Sequence, residues 1–273
     1  MRTHRGGLTV VGLALCLGAL TACNESGDAS GGAEAASPPA ATGASSPGAR
    51  ENDDSATLAG KVIVVDPGHN GGNAGSPSEV NKLVRIGNGS KPCDTTGTST
   101  RAGYGEHAFT WDVSNRLAKL LRAKGAKVTL TRKDDKSVGP CITERAAVGN
   151  RLKADAAVSI HADGASPSGH GFHIIEPVKV GKNAQMVAGS AKLGKALRDS
   201  YHRGTGVPYS NYLGENAIDR RDDLGGLNLS TVPKVFIECG NMQNKGDAAR
   251  LSSASFRQRI AESLAGGFSA YLG

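Results

Sequence analysis

The stretch VIVVDPGH, residues Val62–His69, decides the fold. Its consecutive β-branched residues predict a strand covered on both faces, and Asp-Pro-Gly-His ends that strand abruptly. Open α/β sheets carry their sites beyond the carboxyl ends of the strands. His69 is therefore a candidate metal ligand, although a histidine in this position is more often a hydrogen-bonded loop residue.

Two further predicted strands end in the same way. Ala156–Ile160 (AAVSI) is followed by His161, and Val235–Ile237 is followed by Glu238. Because parallel strands end at one edge of a sheet, we expect both side chains to lie close to His69.

A helix is predicted from Glu106 to Lys124, where apolar residues recur at helical spacing and Gly125 follows as a terminator. Glu106 lies on the first turn, where the helix dipole favours a carboxylate even without a functional role. A strand over 128–131 and a helix over 142–152 follow. This alternation predicts a single α/β domain with helices on both faces of the sheet.

Residues 1–22 have the features of an export signal. Arginines precede an apolar run over 8–20, which is shorter than the about 20 residues that a membrane-spanning helix needs. Leu20-Thr21-Ala22-Cys23 resembles the lipobox of bacterial lipoproteins, which predicts acylation of Cys23. The alternative is an ordinary secretory signal with an incidental cysteine. Residues 23–57, rich in Ala, Ser, Gly and Pro, are predicted to be a disordered linker.

Residues 58–273 form the predicted folded body, and their number suits one domain with a sizeable core. The whole chain has a formal net charge of +7, and loss of Arg2 and Arg5 with the signal lowers it to +5. A mildly basic surface is compatible with anionic lipid or wall polymer. No Lys/Arg runs with interleaved aromatic residues indicate nucleic-acid binding.

Three cysteines remain once Cys16 leaves with the signal and Cys23 is set aside for the lipid. Cys93 and Cys141 lie in polar loop sequence and can pair in an exported protein, which would contribute roughly 4 kcal/mol in the chain-entropy model. Cys239 follows a predicted buried strand and is expected to be a small core residue.

Four segments together resemble the zinc-dependent N-acetylmuramoyl-L-alanine amidases of bacterial cell walls. They are VIVVDPGHNGG, Glu106 at the head of its helix, ERAAVGNRLKADAAVSIHAD and VPKVFIECGNMQN. These motifs occur in the family's order over about residues 60–272. The resemblance implies a mixed, mostly parallel six-stranded sheet flanked by helices, one Zn²⁺, and hydrolysis of the amide between N-acetylmuramic acid and L-alanine in peptidoglycan.

The resemblance also implies roles for four residues. His69, Glu106 and His161 correspond to the metal ligands, and Glu238 corresponds to the catalytic glutamate. Two imidazoles and one carboxylate leave a fourth tetrahedral position for water, which is typical of a catalytic zinc. Glu238 would take the proton of that water and return it to the leaving amine. His107 is a competing ligand, but it projects about 100° away from Glu106 on a helix.

Two alternatives stay open. One is a zinc peptidase that acts on the peptidoglycan stem peptide, and the other is a non-catalytic wall-binding lipoprotein. The expected partners are peptidoglycan or a muropeptide as substrate and the membrane through the lipid anchor, with no nucleic acid. A monomer that faces the cell wall or periplasm from the cell membrane is expected.

Some polar residues allow two interpretations from the sequence. His173 lies in a Gly-rich entry to a strand and is expected in the substrate cleft or on the surface. A long polar segment contains residues that either contact the acidic stem peptide or are simply solvated: Arg220, Arg221 and Asn228. The connection over 76–105 lies outside the family's motifs, and connections of that length are usually functional or mobile.

Overall fold

The computed structural model describes residues 57–273. Within that range the elements follow one another along the chain as β1 Val62–Pro67, α1 Pro77–Val80, β2 Leu83–Arg85, β3 Ser90–Pro92, α2 Glu106–Ala123, β4 Lys127–Leu130, α3 Ile142–Leu152, β5 Ala156–Asp163, β6 His173–Pro177, α4 Val187–Thr205, β7 Ile218–Arg221, α5 Gly225–Asn228, β8 Lys234–Asn241, α6 Lys245–Ser252 and α7 Ala254–Leu272. The predicted signal, the lipid site at Cys23 and nearly all of the predicted linker lie outside the described residues. Among the helices over 57–273, none is long and apolar enough to cross a membrane.

Six strands form one sheet in the order β4-β1-β5-β8-β6-β7. Its neighbouring strands run parallel except for β6 and β8, which are antiparallel. The predicted mixed, mostly parallel six-stranded sheet is therefore confirmed. The short strands β2 and β3 form a separate hairpin.

Alternate residues of the central strands face opposite helix layers. Ile63 and Val65 of β1 belong to the main apolar core, which α2, α4 and α7 cover. Val64 and Ala157 face the other way, in a smaller cluster against Val148 of α3. Helices therefore cover both faces of the sheet, as the sequence predicted, and burial of each large apolar side chain contributes about 1.5–3 kcal/mol.

The layer between the sheet and α3 is polar at its centre. Asp66 of β1 is buried and accepts hydrogen bonds from Ser159 at 2.6 Å, Arg145 at 3.0 Å and Lys234 at 3.1 Å. Burial opposes ionisation of Asp66, but Lys234 and Arg145 hold its pKa well below the ordinary value. Each charged group of this buried cluster lies beside a group of opposite charge, which buried charges require.

The two loop cysteines form the expected disulfide. Cys93 and Cys141 are bonded, with their Cα atoms 4.5 Å apart. Cys239 is a free thiol in the core and is 1% exposed. The segment over 76–105 has more regular structure than its composition indicated, because it contains α1 and the β2–β3 hairpin.

Candidate metal centre

Three potential metal ligands meet at the carboxyl edge of the sheet. His69 follows β1, His161 lies near the end of β5, and Glu106 is the first residue of α2. Nε2 of His69 lies 3.2 Å from one carboxylate oxygen of Glu106, and Nδ1 of His161 lies 2.9 Å from the other. One donor atom from each of the three residues lies within 4.8 Å of the others. The structure therefore brings together the three residues that the sequence put forward as ligands.

The Glu106 carboxylate is held as an anion. It is 4% exposed, and its two oxygens accept hydrogen bonds from the backbone amides of Thr98, at 2.9 Å, and Ala162, at 3.1 Å. Burial opposes ionisation, but His69 and His161 outweigh it and lower the pKa of Glu106 below its ordinary value. A fixed, charged carboxylate is a suitable ligand for a divalent cation.

The His69 ring is oriented by an oxygen on its outer side. Its Nδ1 lies 3.1 Å from the carbonyl oxygen of Thr95, which can only accept a hydrogen bond. Nδ1 is therefore the nitrogen that keeps its hydrogen, and Nε2, which faces Glu106, is the one available to a metal. His69 also has a φ of 58°, a left-handed conformation that non-glycine residues rarely adopt and that clusters at functional sites.

Acidic neighbours keep the His69 ring protonated in the protein alone. Burial disfavours the charged ring, but Glu106 and Asp94 outweigh it and raise the pKa of His69 to about 10. A metal ion at this position would have to displace one proton from the ring.

Aromatic and glycine residues fix the ligands from the remaining sides. The His161 ring stacks on Phe236, with ring centroids 5.2 Å apart, and meets the His69 ring edge-on at 4.9 Å. Gly97 has a φ of +75°, and a Cβ there would lie 2.8 Å from Glu106 Oε2 and 2.8 Å from His69 Cδ2. Only glycine fits at position 97 without displacing a ligand.

Glu238 lies directly beside the three donors. It is in register with His161 between β8 and β5, and it lines a cavity of about 260 Å³ together with His69 and Glu106. Its Oε2 atom is buried and has no hydrogen-bond partner among residues 57–273. Burial and the nearby Glu106 raise the pKa of Glu238 well above its ordinary value. An unpaired buried carboxyl is costly, and such groups mark functional sites.

The donor set suits zinc. Two imidazole nitrogens and one carboxylate oxygen are ligands that zinc takes in catalytic sites, where a fourth position remains for water or substrate. The unpartnered oxygen of Glu238 belongs to the same cavity, so a carboxyl group that can hold or release a proton lies beside the three donors.

A second cavity of about 240 Å³ adjoins the first one. His69 and His161 line both cavities, and so does Arg221. Other walls of the second cavity come from the hairpin, α3 and β8, through Pro92, Ile142 and Phe236. The two histidines therefore border both cavities, which gives room for groups on both sides of a bond held at the site.

Other sequence candidates lie elsewhere. His107 is not among the grouped donors, and its Nδ1 lies 2.8 Å from Asp135. His173 is 1% exposed rather than at the surface, and it lies in register with Glu238 on the next strand. Arg220 pairs with Glu176 at 3.3 Å, and Asn228 is buried and donates to the carbonyl oxygen of Asp222.

Sequence reasoning missed two residues that support the site. Asp94 and Arg145 are buried and bond to each other at 3.0 Å, close to His69. Arg145 had a weak signal, since it lies three residues after Ile142 and so on the same side of the predicted helix. Asp94 had no detectable sequence signal, because it lies in a polar loop among other polar residues.

A mostly parallel α/β sheet with this donor set and a neighbouring carboxyl at its edge is typical of metal-dependent hydrolases. A family model described as N-acetylmuramoyl-L-alanine amidase matches residues 63–270. An N-acetylmuramoyl-L-alanine amidase of Mycobacterium tuberculosis is 41% identical over 221 residues, which cover 80% of this chain and 88% of that protein. The chain therefore belongs to the N-acetylmuramoyl-L-alanine amidase family, the enzymes of peptidoglycan that the sequence indicated.

Solved structures agree with this assignment. The amidase Ami1 from Mycobacterium smegmatis has a TM-score of 0.75 and 38% identity, over 79% of this chain and 98% of its own. Ami1 from Mycobacterium abscessus has a TM-score of 0.75 and 41% identity, over 79% of this chain and 100% of its own. The fold and the enzyme class are shared with these proteins.

Proposed function

We propose that this enzyme hydrolyses, in a zinc-dependent reaction, the amide that joins the lactyl group of N-acetylmuramic acid to L-alanine. One observation carries the proposal: a three-donor group, His69, Glu106 and His161, shares a cavity with the unpartnered carboxyl of Glu238. Zinc held by these residues would polarise the scissile carbonyl and lower the pKa of the attacking water.

Glu238 moves the proton in this proposal. As a carboxylate it accepts a proton from the attacking water while the water oxygen bonds to the carbonyl carbon. The carbon–nitrogen bond then breaks, and Glu238 delivers the same proton to the nitrogen of L-alanine. Water and amide are consumed, the carboxylic acid of the muramic lactyl group and the free amine of the peptide are formed, and Glu238 returns to its starting state.

Arg221 is the residue that we propose for the peptide side of the substrate. It lines both cavities that border the donors, and its guanidinium binds Asp223 through two hydrogen bonds of 2.8 and 2.9 Å. Lys91 also contacts Asp223, at 3.1 Å, so one carboxylate is shared between two cations. The bonds to Asp223 occupy Nε and Nη2 of Arg221, so Nη1 is left to donate to a carboxylate of the acidic stem peptide.

Product identity tests the proposed reaction. Purified protein is incubated with muramoyl-peptides, and the products are identified by mass spectrometry with and without a chelator. The proposal expects free peptide that begins at L-alanine, lost on chelation and restored by zinc. Cleavage within the peptide would indicate a zinc peptidase instead, and zinc binding without any cleavage would favour a wall-binding protein.

We also propose that the enzyme is exported, monomeric and lipid-anchored, with residues 1–22 as signal, Cys23 as the acylated residue and 23–57 as linker. The lipobox-like sequence supports the anchor, and cell-wall substrates support a location outside the cytoplasm. Labelling of cells with a fatty-acid analogue tests the anchor. The wild type should incorporate the label and Cys23→Ser should not.

A further inference from the structure

Asp94 lies between a proposed metal ligand, His69, and a buried arginine, Arg145. One of its oxygens lies 3.5 Å from Nδ1 of His69, and the other accepts a hydrogen bond of 3.0 Å from Arg145. Asp94 is 7% exposed, so water contributes little to its solvation. The oxygen that faces His69 also accepts a hydrogen bond of 2.7 Å from the backbone amide of Thr95, so the protein supplies all of these partners of the Asp94 carboxylate.

Arg145 in turn binds the segment that carries His69. Its guanidinium donates to the backbone carbonyl of His69 at 2.9 Å, to that of Pro67 at 2.7 Å and to Asp66 at 3.0 Å. Arg145 and Asp94 thus contact His69 from its backbone side and from its ring side. The left-handed backbone of His69 needs such support, because it is intrinsically unfavourable.

The disulfide holds both members of this pair. Cys93 immediately precedes Asp94, and Cys141 precedes α3, which carries Arg145. The backbone amide of Ile142 also donates to the carbonyl oxygen of Cys93 at 2.8 Å. The Asp94 loop and the start of α3 are therefore joined by a covalent bond and a hydrogen bond beside the pair.

We propose that Asp94, held by Arg145, is a positioning residue that fixes His69 with Nδ1 protonated and Nε2 turned towards the metal. The inference rests on the proposed zinc site. Partners of this kind behind a metal-bound histidine are generally worth 10–100-fold in metal affinity. The hydrogen-bond partners of Nδ1 are the hydroxyl and carbonyl oxygens of the adjacent Thr95, both 3.1 Å away, and Asp94 adds a negative charge 3.5 Å from the same nitrogen.

Zinc affinity of the purified full-length protein tests the inference, by competition with a chromophoric chelator well below the melting temperature. Asp94→Asn keeps the shape of the side chain and removes its charge, and it should weaken zinc binding about 10–100-fold. Asp199→Asn, in a helix-surface pair with Lys195, is the matched control and should leave the zinc affinity unchanged. A long-range ¹H–¹⁵N spectrum of the zinc-bound protein should show the Nδ1–H tautomer of His69 in the wild type and a mixture in Asp94→Asn.

The outcomes distinguish the positioning role of Asp94 from the zinc site itself. Asp94→Asn that binds zinc within about twofold of the wild type, with an unchanged His69 tautomer, overturns the positioning role and leaves the metal site intact. If Asp94→Asn does not fold, Asp94→Glu decides: it keeps the charge but moves the carboxylate relative to His69 and Arg145, so it should weaken zinc binding, and an affinity within about twofold of the wild type overturns the inference. A wild-type protein that binds no zinc overturns both this inference and the proposed function.

Discussion

The backbone of Gly68 lies against the imidazole ring of His161. A Cβ at residue 68 would come within 2.2 Å of Cε1, 2.5 Å of Nε2 and 2.6 Å of Nδ1 of that ring. The glycine of the Asp-Pro-Gly-His motif is therefore required by a side chain of the neighbouring strand β5. It lets β1 and β5 bring two histidines into edge-on contact at 4.9 Å.

Gly68→Ala should displace His161 and weaken zinc binding while the fold persists. Overpacking of this kind costs about 1–3 kcal/mol, and here the strain falls on a proposed ligand. Zinc affinity and the melting temperature of the metal-free protein measure the two effects. Gly75→Ala is the control, since a Cβ there meets nothing within 4 Å. Equal zinc affinity in both variants would show that His161 has room to move.

Glu238→Gln should keep zinc and lose turnover. The amide side chain preserves the shape of the glutamate but cannot shuttle a proton, so the rate should fall by about 10²–10⁴-fold. Zinc content is measured together with the rate of peptide release. Glu262→Gln, whose carboxylate accepts a hydrogen bond from Gln258 on the exposed face of α7, should retain full activity. Turnover of Glu238→Gln near the wild-type rate would rule out the proposed proton transfer.

Asp66→Asn should destabilise the protein at neutral pH by about 3–5 kcal/mol, because Lys234 and Arg145 would lose their buried counter-charge. Chemical denaturation measures this difference, with Glu144→Gln as a surface control: Glu144 pairs only loosely with Arg151 at 3.9 Å, both side chains are 64% exposed, and the variant is expected within about 1 kcal/mol of the wild type. An Asp66→Asn variant as stable as the wild type would mean that the buried cations find other partners.

The pH dependence of that difference has a definite sign. The pKa of Asp66 is depressed in the folded protein, so its contribution is complete above the unfolded-state value of about 3.9. The advantage of the wild type over Asp66→Asn should therefore be constant above about pH 5 and shrink as the pH falls below 4. Denaturation curves across this range check the prediction, and an advantage that grows on acidification contradicts it.

Removal of the disulfide should lower the free energy of unfolding by about 4 kcal/mol in the chain-entropy model. The double variant Cys93→Ser and Cys141→Ser, compared with the wild type in urea, measures the loss. The same variant should bind zinc more weakly, because the Asp94 loop is then tied to α3 by fewer bonds. A stability within about 0.5 kcal/mol of the wild type would mean that the loop is already confined by its non-covalent contacts.

The sequence predicts the sheet and its donors because the relevant signals are local. Each of the strands β1, β5 and β8 is an apolar run, and each places His69, His161 or Glu238 near its carboxyl end. Parallel pairing then brings those ends together without further information. The prediction of Glu106 as a metal ligand depended on the family resemblance, because a glutamate on a first helical turn is common for electrostatic reasons alone.

The support around the donors depends on contacts between distant segments. Asp94 and Arg145 are 51 residues apart in the sequence, and the fold of the loop over 76–105 brings them together beside the disulfide. The sequence predicts Phe236 only as an apolar residue of a buried strand. Its stacking on His161 depends on the register of β8 against β5. Sequence patterns indicate that such residues are buried, but not which side chain they contact.

The most direct test of the central claim is anomalous diffraction at the zinc absorption edge from crystals of the protein grown with zinc. The account predicts one strong peak, coordinated by His69, Glu106 and His161, with Glu238 beside it but not a ligand. A peak coordinated by other residues, or no peak in zinc-soaked crystals that diffract well, would contradict it.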